Sequence, residues 1–209
     1  VHSGPEPLRH GFDARVSPRD IRETYLSAFR ACVVEGGAAS VMGAYNRTNG
    51  EPCCASKTLL ADVLRGQWGF RGYVVSDCGA VADIHLHHKA ARTAAEAAAL
   101  AVRNGCDLNC GQTYPSLLEA VRTGLISEDE LDIAVRRLFE ARMRLGMFDP
   151  PEQVPYAQTS PTVVNCPEHR ALARQAACES IVLLKNAGGL LPLRKDLRSI
   201  AVIGPTAMD

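Results

Sequence analysis

Three short apolar runs reach a polar or aromatic tip at a fixed spacing: Tyr45, Asp77 and Asn109 lie 32 residues apart each time. The runs are Ser40–Ala44, Tyr73–Ser76 and Cys106–Asn109, and each reads as a strand. Between them lie helical segments with their own start and stop signals. Ser56 caps one whose inner face carries Leu59, Leu60, Val63 and Leu64. Thr93-Ala94-Ala95-Glu96 has capping-box spacing and opens an alanine-rich helix that Asn104-Gly105 ends. Strand, helix and strand at a constant period make a βα repeat, which builds a parallel sheet with right-handed crossovers. The period suits a (β/α)8 barrel, with a doubly wound sheet as the other architecture. Three strands cannot close a barrel, so the expectation is an α/β chain holding the C-terminal part of a (β/α)8-like barrel.

The flanks extend this reading. The first dozen residues are a Gly- and Pro-containing loop, and Ser17-Pro18 starts a helix with the stripe Ile21, Tyr25, Phe29 and Cys32, stopped by Gly36-Gly37. After the third strand come a helix near Pro115 to Arg122 and a longer one capped at Ser127–Glu130. Arg136, Arg137, Arg142 and Arg144 load the second half of that helix, where cations complement the helix dipole. Prolines at 150, 151, 155, 161 and 167 then mark a linker. The expected division is residues 1–148 as the barrel part, 149–167 as the linker and 168–209 as the start of a second domain. That second part is expected to hold a helix and two strands, Ile181–Leu184 and Ile200–Gly204. At ~40 residues it is too small to bury a core of its own, so both ends are expected to be cut from a longer protein.

Composition narrows the partners. The formal net charge is zero, which argues against nucleic-acid and membrane partners, and no apolar run approaches the ~20 residues of a membrane span. Eight cysteines occur, but a zinc site needs two paired spacings, and there is only the vicinal pair Cys53-Cys54 and one C-x-x-x-C, Cys106 to Cys110. Their number leaves the redox compartment open.

Asp77 is the leading candidate for chemistry. Loops at the C-terminal tips of parallel strands face a common crevice, and a carboxylate there serves as nucleophile, base or metal ligand, or merely caps the next helix. Tyr45 stands on a neighbouring tip. His85, His87 and His88 fall in what reads as a long loop after Asp77 and fit a solvated or substrate-rim role better than a metal site. Asp107 and Asn109 are read as organisers of backbone at the third strand end. Cys78 lies beside a carboxylate, which raises a thiol pKa and disfavours a reactive thiolate.

In order and spacing, several segments resemble glycoside hydrolase family 3: Met42-Gly43-Ala44-Tyr45-Asn46-Arg47-Thr48-Asn49-Gly50, Trp68 through Asp77, Gly105-Cys106-Asp107-Leu108, and Ser180 through Asn186. The resemblance implies a (β/α)8-like barrel followed by an α/β sandwich domain. It implies a retaining, exo-acting β-glycosidase with Asp77 as nucleophile, acting on terminal β-linked sugars of oligosaccharides or aryl glycosides without a cofactor. Tyr45 matches a tyrosine of the sugar site, Met42 lies on the same strand, and Arg9 resembles a sugar-binding arginine. Many family β-glucosidases carry tryptophan after the nucleophile. Cys78 in Ser-Asp-Cys instead resembles the β-xylosidase branch. A β-glucosidase, or a carbohydrate-binding fragment without catalysis, are the alternatives. The family's Lys-His pair and acid/base glutamate are expected before Val1 and beyond Asp209. Nothing fixes Glu6 or Glu51 at the ~5–5.5 Å separation that a substitute acid would need. The resemblance also implies a periplasmic or secreted location.

Overall fold

The computed structural model describes residues 2–205 and 207. Its strands are β1 (Asp13–Ala14), β2 (Ser40–Gly43), β3 (Arg47–Thr48), β4 (Glu51–Pro52) and β5 (Tyr73–Ser76). β2 and β5 pair in parallel, with Ser40 opposite Tyr73 and Gly43 opposite Ser76. β1 runs parallel to β3, which turns back antiparallel into β4. The β3–β4 turn is made by Asn49 (φ 50°) and Gly50 (φ 91°). Successive positive φ values match the right-handed twist of a tight hairpin, and Asn and Gly adopt them at least cost. The stretch 47–55 is therefore this hairpin followed by a 3-10 turn, Cys53–Ala55.

The third expected strand is reduced to one parallel bridge, Val75 to Leu108. The backbone still binds as a strand would at its ends: Leu108 N donates to Val74 O at 3.0 Å and Ser76 N to Leu108 O at 2.8 Å. The segment leaves the ladder after Leu108 because Cys110 N turns to the Ser76 hydroxyl at 3.0 Å.

β5 is the best-anchored strand. Val74 and Ser76 are buried, while Tyr73 and Val75 are half-buried. Below it the carboxylate of Asp107, with no exposed surface, accepts from Val74 N at 2.8 Å, Arg65 at 2.6 Å and Arg137 at 2.8 Å. Arg65 also donates to the carbonyls of Gly72 at 3.0 Å and Gly105 at 3.3 Å. One buried anion thus ties the strand to the Lys57–Gln67 helix, which carries Arg65, and to the Glu128–Arg144 helix, which carries Arg137. A carboxylate this deep is tolerable only with such complete pairing. The core above is apolar: Leu60, Leu64, Phe70, Val74, Val81 and Ile84 pack together.

The helix starts follow their caps. Ser17, Ser56, Thr93 and Ser127 each accept a backbone N–H of the first turn, and Ser127 with Glu130 forms a full capping box. At Thr93 the Glu96 carboxylate reaches Arg92 N instead. One expectation is corrected here: His85 lies within a helix, Ala80–Leu86, and not in a loop. Gly79 (φ 85°) turns the chain so that this helix starts directly after the strand tip.

The chain divides into two units, up to Pro155 and from Tyr156 onward, within the proline-rich stretch. The second unit carries the helix Pro167–Ser180. Ile181–Leu184 and Ile200–Gly204, expected as strands, have no strand structure. Leu184 and Ile203 are each 92% exposed. A strand exists only through a paired neighbour, and neither segment pairs here.

Candidate active site

Asp77 follows β5 at its C-terminal end and is half-buried. Its own N–H donates to Gly43 O at 2.9 Å, which fixes it to the tip of β2. Its carboxylate Oδ1 accepts from Cys78 N at 2.7 Å, leaving Oδ2 without a hydrogen bond from the backbone. Next to it a disulfide joins Cys78 to Cys110, with a Cα separation of 4.5 Å. Gly79 N donates to Cys110 O at 2.6 Å and Ser76 Oγ binds Asn109 at 3.3 Å. The tips of β5 and of the 106–109 segment are thereby fastened together around the carboxylate.

Asp77 opens onto a cavity of about 870 Å³ that it shares with His2, Glu6, Arg9, Tyr45 and Asn46. Such a volume accepts a small ligand with several polar groups. The Tyr45 hydroxyl donates to Cys78 O at 2.9 Å. Burial raises the Tyr45 pKa, and the neighbouring Asp77 carboxylate raises it further, so the phenol stays a neutral donor beside the anion. The Arg9 guanidinium lies 5.4 Å from the Tyr45 ring centroid and is ion-paired with Glu6. Asn46 is buried, its amide bound to Arg47 O at 2.6 Å while its Oδ1 has no partner.

Among the expected site residues, the structure brings Asp77, Tyr45 and Arg9 to one cavity, whereas Cys78, bonded to Cys110, follows Asp77 in the chain but does not line it. Met42 is not brought there. It lines a separate apolar cavity of about 130 Å³ with Phe29, Val41 and Trp68. Glu51 is engaged elsewhere: Ser56 and Thr58 donate to it, and these hydrogen bonds outweigh the upward pull of burial and lower its pKa. A carboxylate so held is a poor proton donor. Asp107 belongs to the anchor below β5, and Asn109 to the tip. The histidines separate: His88 is buried, and burial lowers its pKa, whereas His87 is exposed beside Asp83. Among the described residues no group of three or more His, Cys, Asp or Glu side chains is arranged to hold a metal.

Sequence reasoning misses Cys110 and the contact of His10 with Asp83. The signal for Cys110 is the period itself, because Cys78 and Cys110 each follow a strand tip directly. His10 and Asp83 are too far apart in the chain for any local pattern to pair them.

Comparison with known proteins gives the family. The family model described as "Glycosyl hydrolase family 3 N terminal domain" matches residues 10–141. A xylan 1,4-β-xylosidase of Xylanibacter ruminicola is 44% identical over 210 residues, covering 99% of this chain and 24% of its own length. A β-xylosidase/α-L-arabinofuranosidase of Medicago sativa subsp. varia is 44% identical over 202 residues, covering 95% of this chain and 26% of its own. A solved exo-β-xylosidase in complex with a xylobiose aziridine probe superposes with a TM-score of 0.83 at 35% identity, over 91% of this chain and 25% of that one. A Listeria innocua β-glucosidase in complex with glucose gives 0.76 at 36% identity, over 88% and 25%. The chain spans about a quarter of the length of these relatives.

Proposed function

The chain belongs to glycoside hydrolase family 3, and from this we propose that it carries the nucleophile of a retaining, exo-acting β-glycosidase that prefers β-xylosides. The observation that carries the reading is Asp77 itself: a half-buried carboxylate at a strand tip, open to a polar cavity and flanked by the Tyr45 hydroxyl and Arg9. In this reading residues 1–148 are the C-terminal part of a (β/α)8-like barrel, 149–167 a linker and 168–209 the start of an α/β sandwich domain.

Ionised Asp77 attacks the anomeric carbon of the terminal sugar. The bond from that carbon to the leaving oxygen breaks as a protonated carboxyl delivers its proton to that oxygen. Water, deprotonated by the same carboxyl, then displaces Asp77 and returns it as carboxylate. Glu6 also faces the cavity but is engaged by Arg9, so the proton donor is assigned to the part of the relatives that lies outside this chain. The Cys78 N–H at 2.7 Å holds one oxygen of Asp77, which orients the other for attack. Tyr45 and Arg9 supply donors to sugar hydroxyls. In this reading Cys78, which follows the nucleophile and is bonded to Cys110, limits the room for the hydroxymethyl arm that glucose has and xylose lacks. The disulfide also accords with an oxidising, periplasmic or extracellular location.

The test uses the full-length protein. A 2-deoxy-2-fluoro-xyloside with a good leaving group is expected to label the peptide containing Asp77, and Asp77→Asn to abolish turnover. Aryl β-xyloside should exceed aryl β-glucoside in kcat/KM, by a margin of roughly 10- to 200-fold at most if one small group in the pocket decides it. Labelling of another carboxylate refutes the nucleophile. A preference for glucoside refutes the substrate and favours the β-glucosidase reading that the Listeria structure represents.

A further inference from the structure

We propose that Asp83 and His10 form a positioning pair, in which the helix that follows Asp77 grips the loop carrying Arg9 and seats Tyr45 over the nucleophile. The inference rests on the reading of Asp77, Tyr45 and Arg9 given above, and it adds two residues outside the cavity.

Asp83 lies on the Ala80–Leu86 helix, one turn past Gly79, and its side chain is only 5% exposed. A buried carboxylate costs several kcal/mol unless it is paired. Its close partner comes from far along the chain: His10 Nδ1 sits 2.8 Å from Asp83 Oδ2. His87 Nε2, at 3.6 Å from Oδ1, is half-exposed and more distant. The loop held in this way is otherwise poor in regular structure, with one 3-10 turn at Glu6–Leu8. Further ties are Arg47 N to Phe12 O at 2.8 Å, Arg47 to Gly11 O at 3.1 Å and Asn46 to His2 O at 3.3 Å. Those ties lead to the β2–β3 connection and strand β3. The His10–Asp83 contact instead connects the loop to the helix that follows Asp77, and there the His10 ring also lies 5.6 Å from that of His87.

The ring of His10 also meets Tyr45 edge-on, with centroids 4.7 Å apart. His10 does not line the Asp77 cavity, whereas its neighbours Arg9 and Tyr45 do. So His10 acts through them. Asp83 fixes the imidazole, the imidazole backs the Tyr45 ring, and the next residue, Arg9, lies 5.4 Å from the Tyr45 ring centroid. The chain of contacts returns to Asp77 through the Tyr45 hydroxyl and Cys78 O. Nucleophile and sugar donors are in this way held in one frame, although they come from three separate stretches of sequence.

The experiment compares wild type, His10→Ala, His10→Asn, Asp83→Asn and the double variant His10→Ala/Asp83→Asn in the full-length protein. Active sites are counted by stoichiometric labelling with the fluoroxyloside, and kcat and KM for an aryl β-xyloside are expressed per labelled site. Displacement of substrate-positioning groups by about 1 Å costs on the order of 100-fold, so His10→Ala and Asp83→Asn should each lower kcat/KM per site by about 10- to 100-fold. The double variant should be no worse than the poorer single, because both changes break one contact. His10→Asn keeps a donor near the position of Nδ1 and should recover part of the loss. It also keeps the test open if the buried Asp83→Asn change hinders folding. A merely structural pair would reduce the number of labelled sites and leave kcat and KM per site unchanged. That result, or fully additive losses, overturns the inference while Asp77 stays labelled. Failure to label Asp77 in wild type overturns the nucleophile reading instead, and this inference falls with it.

Discussion

Asp107→Asn tests whether the buried anion beneath β5 holds the strand that leads to Asp77. The change keeps shape and one acceptor but removes the charge shared by Arg65 and Arg137. Breaking one side of a buried ion pair costs about 3–5 kcal/mol. The structure offers two routes of relief. Arg137 is 26% exposed and can turn to water, and Arg65, 14% exposed, keeps the carbonyls of Gly72 and Gly105. The expected cost is therefore at the lower end, about 3 kcal/mol. Arg137→Met should cost less, about 1.5 kcal/mol, since Asp107 keeps Arg65 and Val74 N. Global melting of a large multidomain protein would blur these values, because two-state analysis does not hold there. Hydrogen–deuterium exchange of the full-length protein reads the strand directly. In peptides covering Tyr73–Ser76, Asp107→Asn should speed exchange by about 100-fold, since each 1.4 kcal/mol is a factor of ten in local opening. The Ser76 amide, bound to Leu108 O, is the clearest reporter. Protection within a few-fold of wild type, or a larger effect of Arg137→Met than of Asp107→Asn, would refute the reasoning.

Two further outcomes follow from local geometry. A Cβ at Gly72 would lie 2.1 Å from Ala39 O and 2.7 Å from the Phe70 ring, so Gly72→Ala should destabilise by about 1–3 kcal/mol and loosen β5 in the same exchange experiment. Glu130 accepts from Ser127 N and Arg103, which lower its pKa to about 2. A depressed carboxylate stabilises the fold above its unfolded pKa and loses that contribution as pH falls through the folded value. The deficit of Glu130→Gln should therefore be full at pH 7 and shrink between about pH 4.5 and pH 2. Because Glu130 is solvent-exposed, the deficit should be no more than about 1 kcal/mol, read as urea midpoints at several pH values. A deficit that grows on acidification contradicts the assignment.

What the sequence discloses here depends on the range over which each group is satisfied. Ser17, Ser56, Thr93 and Ser127 find their partners within three residues, and all four helix starts are legible. The βα period is legible because each strand's chain neighbour is also its spatial neighbour, β2 beside β5 and β5 beside Leu108. Ile181–Leu184 and Ile200–Gly204 have the right composition for strands and fail as strands, because composition names a candidate while pairing makes the element. The helix carrying His85 was hidden by its length, since a single short segment after a glycine turn gives too few positions for a period to show.

The site divides along the same line. Asp77 and Tyr45 were legible because strand tips are set by the repeat. Arg9 could be named only through resemblance, and its place beside Tyr45 depends on a loop whose anchors lie at residues 46, 47 and 83. Asp83 looks in sequence like any solvated carboxylate of the stretch read as a loop after Asp77. Its burial against His10 exists only once the loop has folded over the helix, so no periodicity could announce it. The same argument explains why substrate contacts in such a scaffold are the least predictable part of it. In the proposed reading the rigid tip that carries the nucleophile is built by nearest neighbours in the chain, whereas the proposed sugar donor Arg9 is delivered by a loop held by a few long-range polar contacts. Loss of one such contact leaves the core intact and misplaces that donor. Substitutions at His10 or Asp83 should therefore separate catalytic competence from folding more cleanly than substitutions at Asp107, which lies under the strand itself.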